Sequence, residues 1–387
     1  MKVCIVTTAF PRWSGDGQGV FVWELARALT DHGLRVCVVA MHSPDARTRE
    51  SIGGIEVARP RYWWPERWEM LRRGGSGGLP VAWKRYPWAR PQVIPFMLVH
   101  TLVSARYAAT CDLVHAQWTL SAAAANLGRW IHRRPIIVTV NGSDVFQAAR
   151  SRLGAWFARS ALRRCDRITA LSHALAEATS ALGVPAEDIR ITPYGVDVAE
   201  FTPIPDSERG KVILYVGSLI ERKGLKYLLG AMPEVFRRLP GYRLVLIGDG
   251  PQKGSLQGLA STLGICAQVR FLPFQPHRKI REWMQAARLL VLPSTEEGLG
   301  MVLLEALACG TPVVASAVGG IPEVVDSQVG RLVAPADVAK LSQAVCEVLA
   351  DPQLWSKLSH GARERAVTQF AWDNVARRFI ALYEEIL

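Results

Sequence analysis

The chain has 387 residues, 49% of them hydrophobic and 21% charged. That length supports two to three domains of roughly 150 residues, and the composition excludes a disordered or collagen-like protein. The net charge of +12 sits mainly in residues 1–200, which carry 25 Lys/Arg against 16 Asp/Glu, so an anionic partner is expected on that half.

The seven cysteines are scattered and form no Cys-x-x-Cys pair. Most sit in apolar surroundings and read as small buried hydrophobes in a reducing compartment. The opening MKVCIVTTAFPRW has too short an apolar run for a signal peptide. The apolar stretch at 93–105 has 13 residues including His100, too short to cross a bilayer. A cytoplasmic protein is expected, peripheral at the inner face of the membrane.

In chain order, a buried strand is predicted at Val3–Thr8, then a Pro/Gly-rich loop over Phe10–Gly19. A helix follows over Phe21–His32, closed by Gly33, and a strand at Arg35–Ala40. Strands at Leu113–His115 and Ile136–Val140 flank a helix at Leu120–Trp130. A strand at Arg167–Ala170 precedes a helix from His173. The pattern restarts after turn-rich residues 193–210, with strands at Val212–Val216, Arg243–Ile247, Val269–Phe271, Leu289–Leu292 and Pro312–Ala315. Helices at Leu225–Arg238, Leu256–Leu263, Arg278–Ala287 and Gly300–Ala308 alternate with them. Two successive doubly wound parallel sheets are the simplest account. The end of the chain has apolar Val375, Phe379, Leu382 and Ile386 on one helical stripe, which needs a partner surface.

Residues 59–107 stand apart, with five Trp, nine Lys/Arg, two Glu and a GGSGG at 74–78. They read as an insertion on the N-terminal sheet, part loop and part helix. Trp among Arg and Lys suits the interface of an anionic bilayer. The same Trp can equally cover the N-domain core.

Two stretches carry chemistry. In PSTEEGLGMVLLEALACGTPVVAS (293–316), a strand ends at Pro293, a glycine loop follows, and a helix starts near Gly300. The amides of Gly298, Leu299, Gly300, Met301 and Val302 would face an anion such as a diphosphate. Glu297 and Glu305 lie eight apart, and Glu305 can bind a ribose diol. A carboxylate beside a phosphate is an odd choice unless it serves hydroxyls, which favours a sugar nucleotide. In VGSLIERKGLKYLL (216–229), Arg222 and Lys223 follow a strand, placed to clamp phosphate oxygens.

These residues resemble the group 1 (family 4) retaining glycosyltransferases of GT-B architecture: α/β, with two doubly wound Rossmann-like domains facing across a cleft. The resemblance runs over nearly the whole chain. It is carried by Glu297…Glu305 within EGLGMVLLEALACGTPVV, by IGDGP (247–251), YGVD (194–197), TVNGSDVF (139–146) and VHAQW (114–118), and by the opening FPRWSGDGQGVFVWELARALTDHG. It implies an acceptor-binding domain at 1–195, a nucleotide-sugar-binding domain at 196–370, and a helix at 371–387 crossing back to the first. It implies transfer of a hexose from a nucleotide-diphospho-sugar co-substrate, with retained configuration and without cofactor or metal; no DxD motif occurs. Glu297, Lys223, Arg222 and Asn141 are the implied catalytic residues. Gly17, Gly19, Ser218, residues 298–302 and Glu305 are the implied donor contacts, and His115 and Asp144 lie on the acceptor side.

The chain departs from the family pattern at three places. Ser218 stands where Arg is frequent, Asn141 where His is frequent, and Gln117 at the second His of the HAHW segment. Arg222 replaces the missing Arg, or leaving-group stabilisation is weaker. Asn141 cannot transfer protons but can hydrogen-bond a sugar hydroxyl. His115 is either an acceptor contact or a packed strand-end histidine. Asp144 either contacts substrate or caps the following helix. The expected partners are a nucleotide sugar, a glycan or polyprenyl-linked lipid acceptor in surface-polysaccharide or glycolipid assembly, and an anionic membrane surface. No nucleic-acid motif occurs. The competing functions are a GT-B-like scaffold that has lost catalysis and a sugar-nucleotide epimerase.

Overall fold

The computed structural model describes residues 1–13, 16–71 and 86–387; the GGSGG at 74–78 and Trp83 lie outside them. The chain divides into two compact units. One holds Met1–Pro193 with Val375–Leu387, the other Tyr194–Asn374.

The first unit is built on an eight-stranded sheet. Its strands are β1 (Lys2–Thr7), β2 (Arg35–Ala40), β3 (Arg49–Ile52), β4 (Ile55–Ala58), β5 (Leu113–Gln117), β6 (Ile136–Val140), β7 (Arg167–Ala170) and β8 (Ile189–Ile191). The order is β3-β4-β2-β1-β5-β6-β7-β8. Every pairing is parallel except β3 with β4. The central strands read VCIVT and IIVTV because helices cover both faces and leave no polar side to alternate with. The β3–β4 hairpin, absent from the sequence reading, turns on Gly53 and Gly54, with φ of 54° and 81°. A two-residue turn needs that left-handed pair to match the strand twist.

Beneath one face of this sheet Cys4, Cys37, Cys111, Val114, Ala125 and Ile136 pack together. The Cys37 and Cys111 sulfurs lie 3.6 Å apart without a disulfide, so these cysteines act as small apolar groups.

Against the expectation, residues 59–107 are not wholly an insertion. Val93–Ala108 is a helix between β4 and β5 that packs on β1 and β2 and on the helix Trp118–His132. It is a crossover of the doubly wound unit. Ahead of it, Met41, Tyr62, Leu71, Ala89 and Phe96 form a small core with Trp63 against it. Trp64 and Trp88 remain 82% and 79% exposed. Arg59 is wholly buried, pairing with Glu50 and donating to the Pro11 carbonyl at 2.6 Å, so its charge is internal.

The helix Trp372–Glu384 buries Val375, Phe379, Leu382 and Tyr383. Phe379 and Tyr383 pack on His115 of β5. Ile386 lies past the helix end. The Tyr383 hydroxyl and His115 Nδ1 are 2.7 Å apart in a fully buried setting. Tyr383→Phe is therefore expected to cost about 1–2 kcal/mol, the scale for one buried hydrogen bond lost with its partner left behind. Urea unfolding measures this, and an unchanged midpoint would show that the pair does not anchor the helix.

The second unit has six parallel strands: β9 (Val212–Val216), β10 (Arg243–Ile247), β11 (Val269–Leu272), β12 (Leu289–Leu292), β13 (Val313–Ser316) and β14 (Gly330–Val333). Their order is β11-β10-β9-β12-β13-β14. The chain builds outward from β9 to β11, then returns to lay β12 on the other side of β9. That reversal is a topological switch point, where a crevice opens beyond the carboxyl ends of the strands. Helices at Val338–Ala350 and Pro352–Gln369 complete the unit; neither was read from the sequence.

Candidate functional site

The switch point brings the two chemical motifs of the second unit together. After β9 a 3-10 turn holds Glu221–Lys223, and Gly224 caps it in the left-handed region. After β12 the loop carries Ser294 to Gly300 into the helix Met301–Ala308. The loops are tied by main chain: Thr295 N donates to the Arg222 carbonyl at 2.8 Å. A Cβ on Gly224 would lie 2.0 Å from the Pro293 oxygen, so only glycine permits this approach.

Across that seam Lys223 Nζ pairs with Glu297, both side chains largely buried. The second Glu297 oxygen accepts from Gly298 N at 3.3 Å. Arg222 reaches Glu296 at 4.0 Å and is more exposed. The fold thus sets Lys223 beside Glu297, whereas Arg222 stands at the rim.

Gly300, with φ of 87°, starts the helix. The leading amides, with no acceptor inside their own helix, carry its positive dipole end. Glu305 is half-buried in the same helix. His277 Nε2, from the start of the helix His277–Ala286, lies 3.1 Å from Glu305 Oε1. His277 in turn packs edge-on against buried Phe201, centroids 5.0 Å apart.

Three contributors escaped the sequence reading. His277 had no motif to announce it. Tyr215 donates to the Ser218 carbonyl at 3.0 Å, and burial, helped by the Glu297 charge, pushes its phenol up. Ser218 thus acts here through its main chain. Gly319 follows β13 with φ of 53°, and a Cβ there would lie 1.8 Å from the Glu297 carbonyl oxygen. Gly319→Ala is expected to cost about 1–3 kcal/mol through backbone strain and to displace Glu297. Urea unfolding tests the first effect; wild-type stability would show that the loop relaxes freely.

The first unit has its own switch point, between β1 and β5. Gly17 and Gly19 lie on the loop after β1. Gly19 has φ of 70°, and its Cβ would meet the Ala9 carbonyl at 2.5 Å; this glycine has a packing reason of its own. Beside it Asp16 accepts from Arg12 Nε at 2.7 Å. Burial alone would raise this carboxyl, but Arg12 holds it below its usual range.

On β5 and β6 a polar chain runs from His115 to Gln117 at 3.1 Å and from Gln117 to Asn141 at 3.5 Å. The acceptor-side expectation for His115 is corrected here. The ring is wholly buried, Nε2 meets Thr139 Oγ1 at 2.7 Å, and Nδ1 is taken by Tyr383. Burial drives its pKa down to about 3, so it is neutral and structural. Asp144 accepts from Asn141 N and Thr119 N, both at 3.1 Å. It therefore sits in the first turn of the helix Ser143–Ala148, whose N-cap is Gly142, and ties the end of β6 to the first turn of the helix Trp118–His132. Burial raises its pKa, opposed by these amides. Asn141 remains half-buried at the strand end, its Nδ2 donating to the Thr139 carbonyl at 3.2 Å.

Two Rossmann-like units, one with a lysine, a carboxylate and a helix start converging at its switch point, define an α/β protein of the GT-B class. Residues 199–365 match the model of glycosyl transferases group 1, and residues 15–200 match that of glycosyltransferase family 4. The chain belongs to this glycosyltransferase family. It is 34% identical over 279 residues to the GDP-mannose-dependent alpha-(1-6)-phosphatidylinositol monomannoside mannosyltransferase of Mycolicibacterium smegmatis, covering 66% of this chain and 72% of that protein. It is 28% identical over 421 residues to the alpha-maltose-1-phosphate synthase of the same species, covering all of both chains. Among solved structures, sucrose-phosphate synthase from Thermosynechococcus elongatus superposes with a TM-score of 0.80 at 24% identity, covering 99% of this chain and 98% of the other. That likeness shows the fold.

Proposed function

We propose that this enzyme is a retaining hexosyltransferase that moves a sugar from a nucleoside-diphospho-sugar to a glycan or lipid-linked acceptor, without a metal. The observation that carries the reading is the pairing of Lys223 with Glu297 at the switch point, beside the Gly298–Val302 amides and Glu305. Glu305 takes the ribose diol, with His277 steadying one of its oxygens. Glu297 takes hydroxyls of the donor sugar. As the bond from the anomeric carbon to the diphosphate breaks, negative charge gathers on the leaving oxygen. Lys223, Arg222 and the helix amides are fixed in advance where that charge appears. The acceptor oxygen forms the new glycosidic bond and passes its proton to the departing diphosphate oxygen. Ser218 contributes main chain rather than charge. On the first unit, Asn141 offers its side-chain amide to a sugar hydroxyl at the end of β6.

A lipid acceptor is supported by the phosphatidylinositol monomannoside acceptor of the mannosyltransferase relative and by the basic first unit. Such an enzyme would work in glycolipid or surface-polysaccharide assembly in the cytoplasm.

The test is thermal stabilisation by a panel of uridine and guanosine diphosphate sugars, followed by donor hydrolysis and the anomeric configuration of the product by NMR. Protection by none of them would sink the donor site, and an inverted product would sink retention. Because cations of the chain carry the leaving-group charge in this scheme, excess EDTA is expected to leave turnover unchanged. A strict Mg²⁺ requirement would contradict it.

A further inference from the structure

Three helices of the first unit lie side by side in one layer: Val93–Ala108, Trp118–His132 and Arg152–Leu162. The contacts between them are close. A Cβ on Gly128 would come within 2.9 Å of Ala105 Cβ, and Asn126 Nδ2 donates to the Ala161 carbonyl at 2.8 Å. The first two cover the sheet with their inner sides, and the third packs against the second. Their outer sides should then be polar, as on an ordinary surface helix.

They are not. The first helix exposes Ile94, Leu98 and Leu102, spaced by four, with Leu98 at 62%. The second exposes Leu127 and Trp130, the latter at 76%, and the third exposes Leu153 and Trp156, the latter at 64%. Scattered exposed apolar residues are normal, but stripes on three adjacent helices are not. None of the three helices contains a single Asp or Glu. Arginines border the face instead: Arg133 and Arg134 follow the second helix, and Arg163 and Arg164 follow the third. The nearby acid Asp166 is engaged, pairing with Arg129 and accepting from Ile136 N at 2.7 Å.

We propose that this three-helix face docks on an anionic lipid bilayer, with the Trp and Leu side chains in the headgroup zone and the arginines on lipid phosphates. The chemistry matches on both counts: Trp favours that boundary, and juxtaposed arginines are drawn to a negative surface. A second copy of the chain fits poorly. A two-fold interface would set an acid-free, arginine-bordered face against itself. The site differs from the one expected from sequence, since only the first of the three helices falls within 59–107. The proposal deepens the lipid-acceptor reading by naming the surface that would present the acceptor, and its test does not depend on turnover.

The experiment is co-sedimentation of the full chain with vesicles of phosphatidylcholine alone and of phosphatidylcholine with phosphatidylglycerol, at low and high salt. Binding is expected for the anionic vesicles only, weakening as salt screens it. Both W130S/W156S and R134E/R163E should lower it by about tenfold or more while keeping the wild-type melting temperature, because all four side chains are on the surface. Equal, negligible binding to both vesicle types would overturn the proposal. So would variants that bind like wild type, or a solution dimer that W130S/W156S dissociates. Nucleotide protection is measured on the same samples. Its loss with vesicle binding intact sinks the donor-site reading alone, and the converse sinks the docking face alone.

Discussion

Lys223→Ala is expected to lower kcat by about 10²–10³-fold, the scale of losing one preorganised donor to a developing anion. The lysine sits on a 3-10 turn after β9, held by the Gly224 cap and by the Thr295–Arg222 main-chain bond. A cation fixed there need not reorganise when the diphosphate departs. Its contribution should therefore be greater in the transition state than with bound substrate, and donor KM should change less than kcat. Loss of its partner also leaves Glu297 with the Gly298 amide, so a melting curve must accompany the kinetics. An unchanged kcat with a raised KM would assign Lys223 to ground-state binding instead. Lys223→Arg restores charge with a different shape, and partial recovery would show that charge matters more than fit.

Glu305→Ala is expected to weaken binding of uridine or guanosine diphosphate by about 10- to 100-fold, from the loss of hydrogen bonds to a charged acceptor. The helix should survive, because alanine is a good helix former and Glu305 is only half-buried among buried Leu303, Leu304 and Ala306. His277→Ala should act in the same direction with a smaller effect, since His277 touches Glu305 and would act on the nucleotide only through it. Calorimetric titration gives both numbers. Wild-type affinity in Glu305→Ala would remove the ribose role, and wild-type affinity in His277→Ala alone would make that histidine a packing residue.

Most of the strand-loop-helix motif at 293–316 could be read in the chain because it is local. Residues 293–316 hold a strand, a glycine loop and a helix in unbroken order, so their spacing already sets which amides and carboxylates share a helix end. Lys223 was readable for the same reason, as a cation after a strand of a doubly wound pattern. The two short strands at 49–58 were not, since four-residue strands with a glycine turn carry little period. The helices Val338–Ala350 and Pro352–Gln369 are also absent from the sequence reading, although the helix after them, Trp372–Glu384, is legible in its apolar stripe.

Alternation of apolar strands and helices was enough to specify two doubly wound sheets, because burial on both faces imprints itself on every strand. Tertiary structure alone decided which strands are neighbours. It set β12 beside β9, and so placed Lys223 on Glu297 across 74 residues of chain. It brought His277 to Glu305, buried Arg59 and His115, and left Trp130 and Trp156 facing outward. The physical reason is common to all of these. A side chain's type records what it can do, but its burial and its partners depend on contacts between segments far apart in sequence, and those exist only once the sheets have closed.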